Sequence, residues 1–162
     1  MVSVRKISRY ALASWLAAAL LLLSGCTVSQ PGKFETTIMT GLKRRVTVRG
    51  KADINPIAAS PVSIADGQRA FSHYCVSCHG LDGQATGVPF ADRMTPPVPS
   101  LASASVQAYT DGQLKYLIDH GIAPSGMPAS NGILNDDEIW SIVIFLRHLP
   151  AKGSLGEPKF YQ

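Results

Sequence analysis

Cys75-Val76-Ser77-Cys78-His79 constrains this chain more than any other stretch of its 162 residues. Two cysteines three positions apart lie about one turn apart on a helical backbone, and the histidine follows at once. Three chemistries use such a pattern. A zinc site wants four ligands at paired spacing, whereas Cys75, Cys78, His73 and His79 crowd a single turn. A redox-active dithiol of the thioredoxin kind sits in a βαβ context, and the flanks of this motif read as helical. The third chemistry is covalent haem attachment, for which C-x-x-C-H is the pattern. Each sulfur adds to one vinyl group of the porphyrin, and the histidine presents its imidazole to the iron. Cys75, Cys78 and His79 are therefore expected to hold one covalent haem c, with His79 the proximal ligand.

A second axial ligand is expected downstream. Met127 lies in Ile122-Ala123-Pro124-Ser125-Gly126-Met127-Pro128-Ala129, which has no helical pattern and suits a loop that delivers a ligand. Met94, before Pro96-Pro97, and His120, at a helix end, compete with it. For His120 the helix dipole offers a simpler reason, since a cationic side chain is favoured at a C-terminus. His73 and His148 read as surface or helix residues without an iron role.

Three main helices surround the motif. Ser63-x-x-Asp66 is a capping-type start for a helix from Ile64 to about Cys75, with Ile64, Gly67, Phe71 and Tyr74 on one face. Gly67 costs about 1 kcal/mol against alanine inside a helix, so a close helix crossing is expected there. Thr110-x-x-Gln113 opens a second helix that stops at Gly121. Asn135-x-x-Glu138 opens a third, whose Ile139, Ile142, Val143, Leu146 and Leu149 recur at helical spacing up to Pro150. Between His79 and Thr110 the chain is mostly loop, rich in Gly and Pro. A loop of that length is uncommon in a small domain and has a purpose if it follows the edge of a flat cofactor.

The ends are of other kinds. Arg5, Lys6 and Arg9 precede an apolar run, Ala11 to Leu23, too short to span a bilayer; residues 1–25 read as a secretory signal. Leu23-Ser24-Gly25-Cys26 resembles the bacterial lipoprotein signal, which implies a lipid on Cys26 and a chain exported to the periplasmic side of a membrane. Thr27, rather than Asp, after the cysteine favours the outer membrane under the sorting rule of such proteins. An ordinary cleaved signal and an uncleaved helical anchor are the alternatives. Residues 26–62 read as a basic, flexible linker, with Lys43, Arg44, Arg45, Arg49 and Lys51 able to meet anionic headgroups, or in part as an arm packed on the globule. Residues 151–162 read as a C-terminal tail. Formal net charge is +4, yet the span 63–150 holds four basic residues against eight acidic ones. A folded basic face, as nucleic-acid binding requires, is not in evidence.

From Ser63 to Pro150 the chain resembles a class I c-type cytochrome domain. Gly67-x-x-x-Phe71, Cys75-x-x-Cys78-His79-Gly80, Gly126-Met127-Pro128 and the run from Ile139-Trp140 to Leu149-Pro150 carry the resemblance. It implies an all-α cytochrome c fold of about three main helices and long loops around one haem. It implies that the last helix crosses the first near Gly67, with Phe71 and Trp140 in contact. It also implies a proline carbonyl bonded to the second imidazole nitrogen of His79; Pro99-Ser100-Leu101 looks like the matching tripeptide, with Pro89, Pro96 and Pro97 as alternatives. With His79 and Met127 both bound, the iron has no open position, so the expected role is one-electron transfer between redox partner proteins, without a small-molecule substrate or enzymatic activity of its own. A haem sensor whose sixth site opens, and the dedicated electron-transfer subunit of one oxidoreductase, are the alternatives.

Overall fold

The computed structural model describes residues 53–161, together with Trp15, Gly32, Ile38, Val48 and Lys51. The expected signal and the lipid-anchor residue Cys26 lie otherwise outside the described residues. The chain divides into two compact units, Met1–Gln30 and Pro31–Gln162, and all the elements below belong to the second. No helix among the described residues is long and apolar enough to cross a membrane.

Within 53–161 there are five α-helices and no strand: α1 (Pro61–Tyr74), α2 (Val76–His79), α3 (Ala104–Gln107), α4 (Asp111–His120) and α5 (Asp136–Arg147). The three long ones are those expected. α4 and α5 start at the expected capping boxes, Thr110 with Gln113 and Asn135 with Glu138. α1 starts earlier than expected. Its cap is Ser60, whose side chain accepts from Ser63 N while Ser63 Oγ accepts from Ser60 N. Pro61 sits at the first helical position, where its fixed φ suits the helix and its missing N–H costs nothing.

α1 and α5 form the centre of the domain. The contact is closest at Gly67, where an added Cβ would lie 1.9 Å from Ser141 O and 2.5 Å from Ser141 C. The aromatic pair at this crossing is Phe71 with Phe145, ring centroids 5.2 Å apart. Trp140, expected in that role, is buried in the same core, and its carbonyl accepts from Asn55 Nδ2 at 2.9 Å. α5 buries a continuous run from Ile139 to Leu146, wider than the stripe of an amphipathic helix. Arg147 fastens its end to the start of α4 and the end of α3, with Nε 2.9 Å from Asp111 Oδ1 and Nη1 2.9 Å from Gln107 O.

Chain on either side of this core packs onto it. Val48 is buried, Gln113 Nε2 donates to Val48 O at 3.3 Å, and Thr110 Oγ1 donates to Lys51 O at 2.8 Å. This part of the 26–62 segment is thus an arm on α4. After Pro150 the chain turns back: Gly153 N donates to Asp82, and Tyr161 reaches α2.

Candidate haem-attachment site

The site is built where α1 breaks. Cys75 is both the C-cap of α1, its N–H bonded to Phe71 O at 2.9 Å, and the N-cap of α2. Its carbonyl accepts from Cys78 N and His79 N at 3.2 and 3.0 Å, so one turn carries all three residues of the motif. Gly80, at φ +69°, ends that turn in a conformation that glycine adopts without the penalty a side chain brings. Val76 points into the core, and the Phe71 ring lies 6.4 Å from the His79 ring.

The electrostatics of the turn separate the three chemistries. Burial pushes the Cys75 thiol from 9.0 up to about 12, and neighbouring Cys78 adds to the shift. A reactive dithiol needs the opposite, a thiolate favoured at neutral pH. Burial holds His79 down from 6.5 to about 4, so its ring is neutral at pH 7, with a lone pair available to a metal. A zinc cage fares no better than the dithiol: among the described residues no three His, Cys, Asp or Glu side chains converge on one point.

His79 Nδ1 is the one buried side-chain nitrogen or oxygen among the described residues without a hydrogen bond. An unsatisfied buried polar group costs about 1–3 kcal/mol, so the chain by itself leaves this ring incomplete. Both cysteines beside it are free thiols. A planar apolar group that takes two thioether bonds and an imidazole fits this donor set, and Cys75, Cys78 and His79 are the residues that would hold it. No proline carbonyl accepts from the ring in this structure, so the partner expected from Pro99 is not made.

The candidates for a second protein ligand sort by environment. Met127 and Cys75 border the same hydrophobic core. The Met127 carbonyl is pinned by Ile122 N at 2.9 Å, which closes the loop after α4. Met94 lies against this loop, its Cε 3.7 Å from where a Cβ on Gly126 would be. His120 is exposed at the end of α4, stacked on Tyr116 at 4.0 Å with Nδ1 3.1 Å from Tyr116 O. His148 Nδ1 lies 2.8 Å from Ile144 O, and His73 is exposed.

Sequence reasoning missed Asp82, three residues past the motif histidine. The residue is 0 % exposed. Its Oδ1 accepts from Gln84 N at 2.9 Å, and its Oδ2 from Thr86 Oγ1 at 2.6 Å and Gly153 N at 2.7 Å. Burial raises its proton affinity, but these donors outweigh burial and leave the carboxyl below its ordinary 3.8. A lowered folded value stabilises the fold above the ordinary one, and the contribution disappears as pH falls through the folded value. Asp82→Asn is expected to cost about 2 kcal/mol at neutral pH, since an amide NH2 cannot accept from the fixed Gly153 N–H. Urea titrations at neutral pH and near pH 3 should show the gap between wild type and variant closing in acid. The only sequence signal was an acidic residue in a Gly-rich loop, which exposed loops share.

The geometry therefore presents a helical fold built around one turn with two free thiols, a neutral imidazole and a methionine loop beside the same core. No curated protein matches the chain. A family model, described as cytochrome C oxidase, cbb3-type, subunit III, matches residues 62–146, more than half of the chain and all but the first residue of α1 through all but the last of α5. The chain belongs to that family, and its helical domain is a cytochrome c domain that binds haem and serves electron transfer between redox partner proteins.

Proposed function

We propose that this chain is a monohaem c-type cytochrome that carries single electrons between partner proteins on the periplasmic side of a bacterial membrane, to which a lipid on Cys26 anchors it. The observation that carries the reading is the motif turn, where two free thiols lie within one turn of a neutral imidazole. Haem, when bound, supplies a one-electron Fe(III)/Fe(II) couple. Cys75 and Cys78 fix the porphyrin to the chain. His79 is held neutral by burial and gives its lone pair to the iron. Met127 would supply a thioether as a second protein ligand, of a kind that favours the reduced state. The apolar residues of α1 and α5 keep water out, which disfavours the extra positive charge of the oxidised iron.

A visible spectrum of the reduced protein with a redox titration tests the proposal. The expected result is a low-spin six-coordinate pattern and one one-electron step. Met127→Ala is expected to open the iron and lower the potential by on the order of 100 mV, within the ~0.8 V over which axial ligands move haem potentials. Covalent attachment should survive. Met94→Ala, by contrast, should keep the six-coordinate spectrum. If the two variants exchange these outcomes, Met94 is the ligand.

For the anchor, Cys26→Ala is expected to move the protein from the membrane to the soluble fraction. One acyl chain is marginal and two or more hold firmly, so a variant that stays with the membrane would refute the lipid on Cys26. The description of the family favours a second reading, an electron-transfer subunit of a terminal oxidase. Stable co-purification with an oxidase catalytic subunit distinguishes it from a free carrier.

A further inference from the structure

The residues after Leu149 belong to no part of the family match, which ends at 146, yet they run back to the attachment turn. We propose that residues 149–161 form a strap over this turn, and that Tyr161 is a positioning residue which holds the haem-bearing helix by capping the carbonyl of Ser77. The proposal rests on Cys75, Cys78 and His79 being the attachment site.

The reason for the cap lies in the shortness of α2. A helix leaves its last carbonyls without intrahelical partners. In α2 the carbonyls of Cys75 and Val76 accept from His79 N and Gly80 N, and the chain then turns away at Gly80. Ser77 O comes next, and the Tyr161 hydroxyl donates to it at 2.6 Å. This carbonyl lies between the two thioether positions, so the bond acts on the segment that fixes porphyrin to chain.

The strap is held along its length. Gln84 Nε2 donates to Pro150 O at 3.0 Å, and Gly153 N to Asp82 Oδ2 at 2.7 Å. Gly87 leaves room for Glu157, whose Cβ and Cγ would both be 2.6 Å from a Cβ placed there. Pro158 is fully buried, and the Tyr161 ring meets the edge of Phe90 at 6.0 Å. The loop that follows the haem histidine is thus covered by the strap through Asp82, Gln84, Gly87 and Phe90.

Function follows from what the turn carries. Movement of α2 would move His79, and loss of the buried Pro158 would admit water to the loop beside it, which would favour the extra positive charge of an oxidised iron. Loss of the strap should therefore disfavour reduction while the thioether links remain.

The test uses the full-length holo-protein, Tyr161→Phe, and a chain ending at Gly153. Tyr161→Phe keeps the ring against Phe90 and removes only the donor. At a fixed ambient potential its ratio of reduced to oxidised protein is expected to fall about threefold, the worth of one hydrogen bond. The shortened chain is expected to fall about tenfold, 59 mV for a one-electron couple. Haem per chain should be unchanged, and amide exchange over 76–80 should be about tenfold faster in both variants. If both titrate like the wild type, even with a lower melting temperature, the strap is structural only and the proposal is overturned. Should the shortened chain not fold, Tyr161→Phe decides alone. A wild type without covalent haem would refute the attachment reading instead; exchange over 76–80 would then decide the strap, and unchanged rates in Tyr161→Phe would overturn it.

Discussion

Gly67→Ala is expected to destabilise the domain by about 3 kcal/mol, at the upper end of what overpacking costs. On an isolated helix the same change would stabilise by about 1 kcal/mol, so the sign alone is diagnostic. The added methyl would fall 1.9 Å from Ser141 O and 2.5 Å from Ser141 C, both backbone atoms of α5, and 3.0 Å from Phe145 Cβ. No rotamer change relieves a clash with backbone, so α1 and α5 must separate. Separation loosens the Phe71–Phe145 pair and the turn that follows Phe71. For a domain of this size the expected fall in melting temperature is about 10–20 °C. A melting temperature equal to or above that of the wild type would show that the helices do not cross at this residue.

Cys75→Ala combined with Cys78→Ala is expected to abolish covalent pigment when the protein is made in a host that matures c-type cytochromes. Acid–acetone extraction reads this directly: wild-type colour stays with the protein, and the variant releases whatever it holds. Each single variant should keep one thioether. The folding consequence is also large, because the core around Phe71, Val76 and Leu81 is small. Small domains that lack a staple are marginal, so the double variant is expected to lose its cooperative melting transition, as circular dichroism would show.

Much of this architecture could be read from residue order. The boxes at Thr110 and Asn135 are local devices: a side chain bonds a backbone amide three residues away, and sequence spacing suffices to find them. The same box at Ser60 was overlooked because serine took the place of an acidic or amide residue at the third position. The motif turn was legible because its two thiols and its imidazole fall within five consecutive residues. Contacts between distant segments were not. That Phe71 pairs with Phe145 rather than Trp140 depends on the crossing geometry of two helices. That Asp82 is buried depends on Gly153, 71 residues away. That Val48 packs beneath Gln113 and Tyr161 reaches Ser77 likewise needs the fold, since composition marks both segments as polar and irregular.

The junction of α1 with α5 also sets the order of assembly. Gly67 and Ser141 meet across more than seventy residues, and closing a loop of that length costs roughly 4 kcal/mol in chain entropy before any contact repays it. α5 is the last of the long helices in chain order, so the two halves of the core cannot join while the segment up to Arg147 is still missing from the side of Cys75. Until then Cys75 and Cys78 sit on an unclosed chain, where a bulky, flat molecule of the kind proposed for them would meet no finished core. Delay in long-range folding thereby keeps a window for chemistry that the finished interior would shut out.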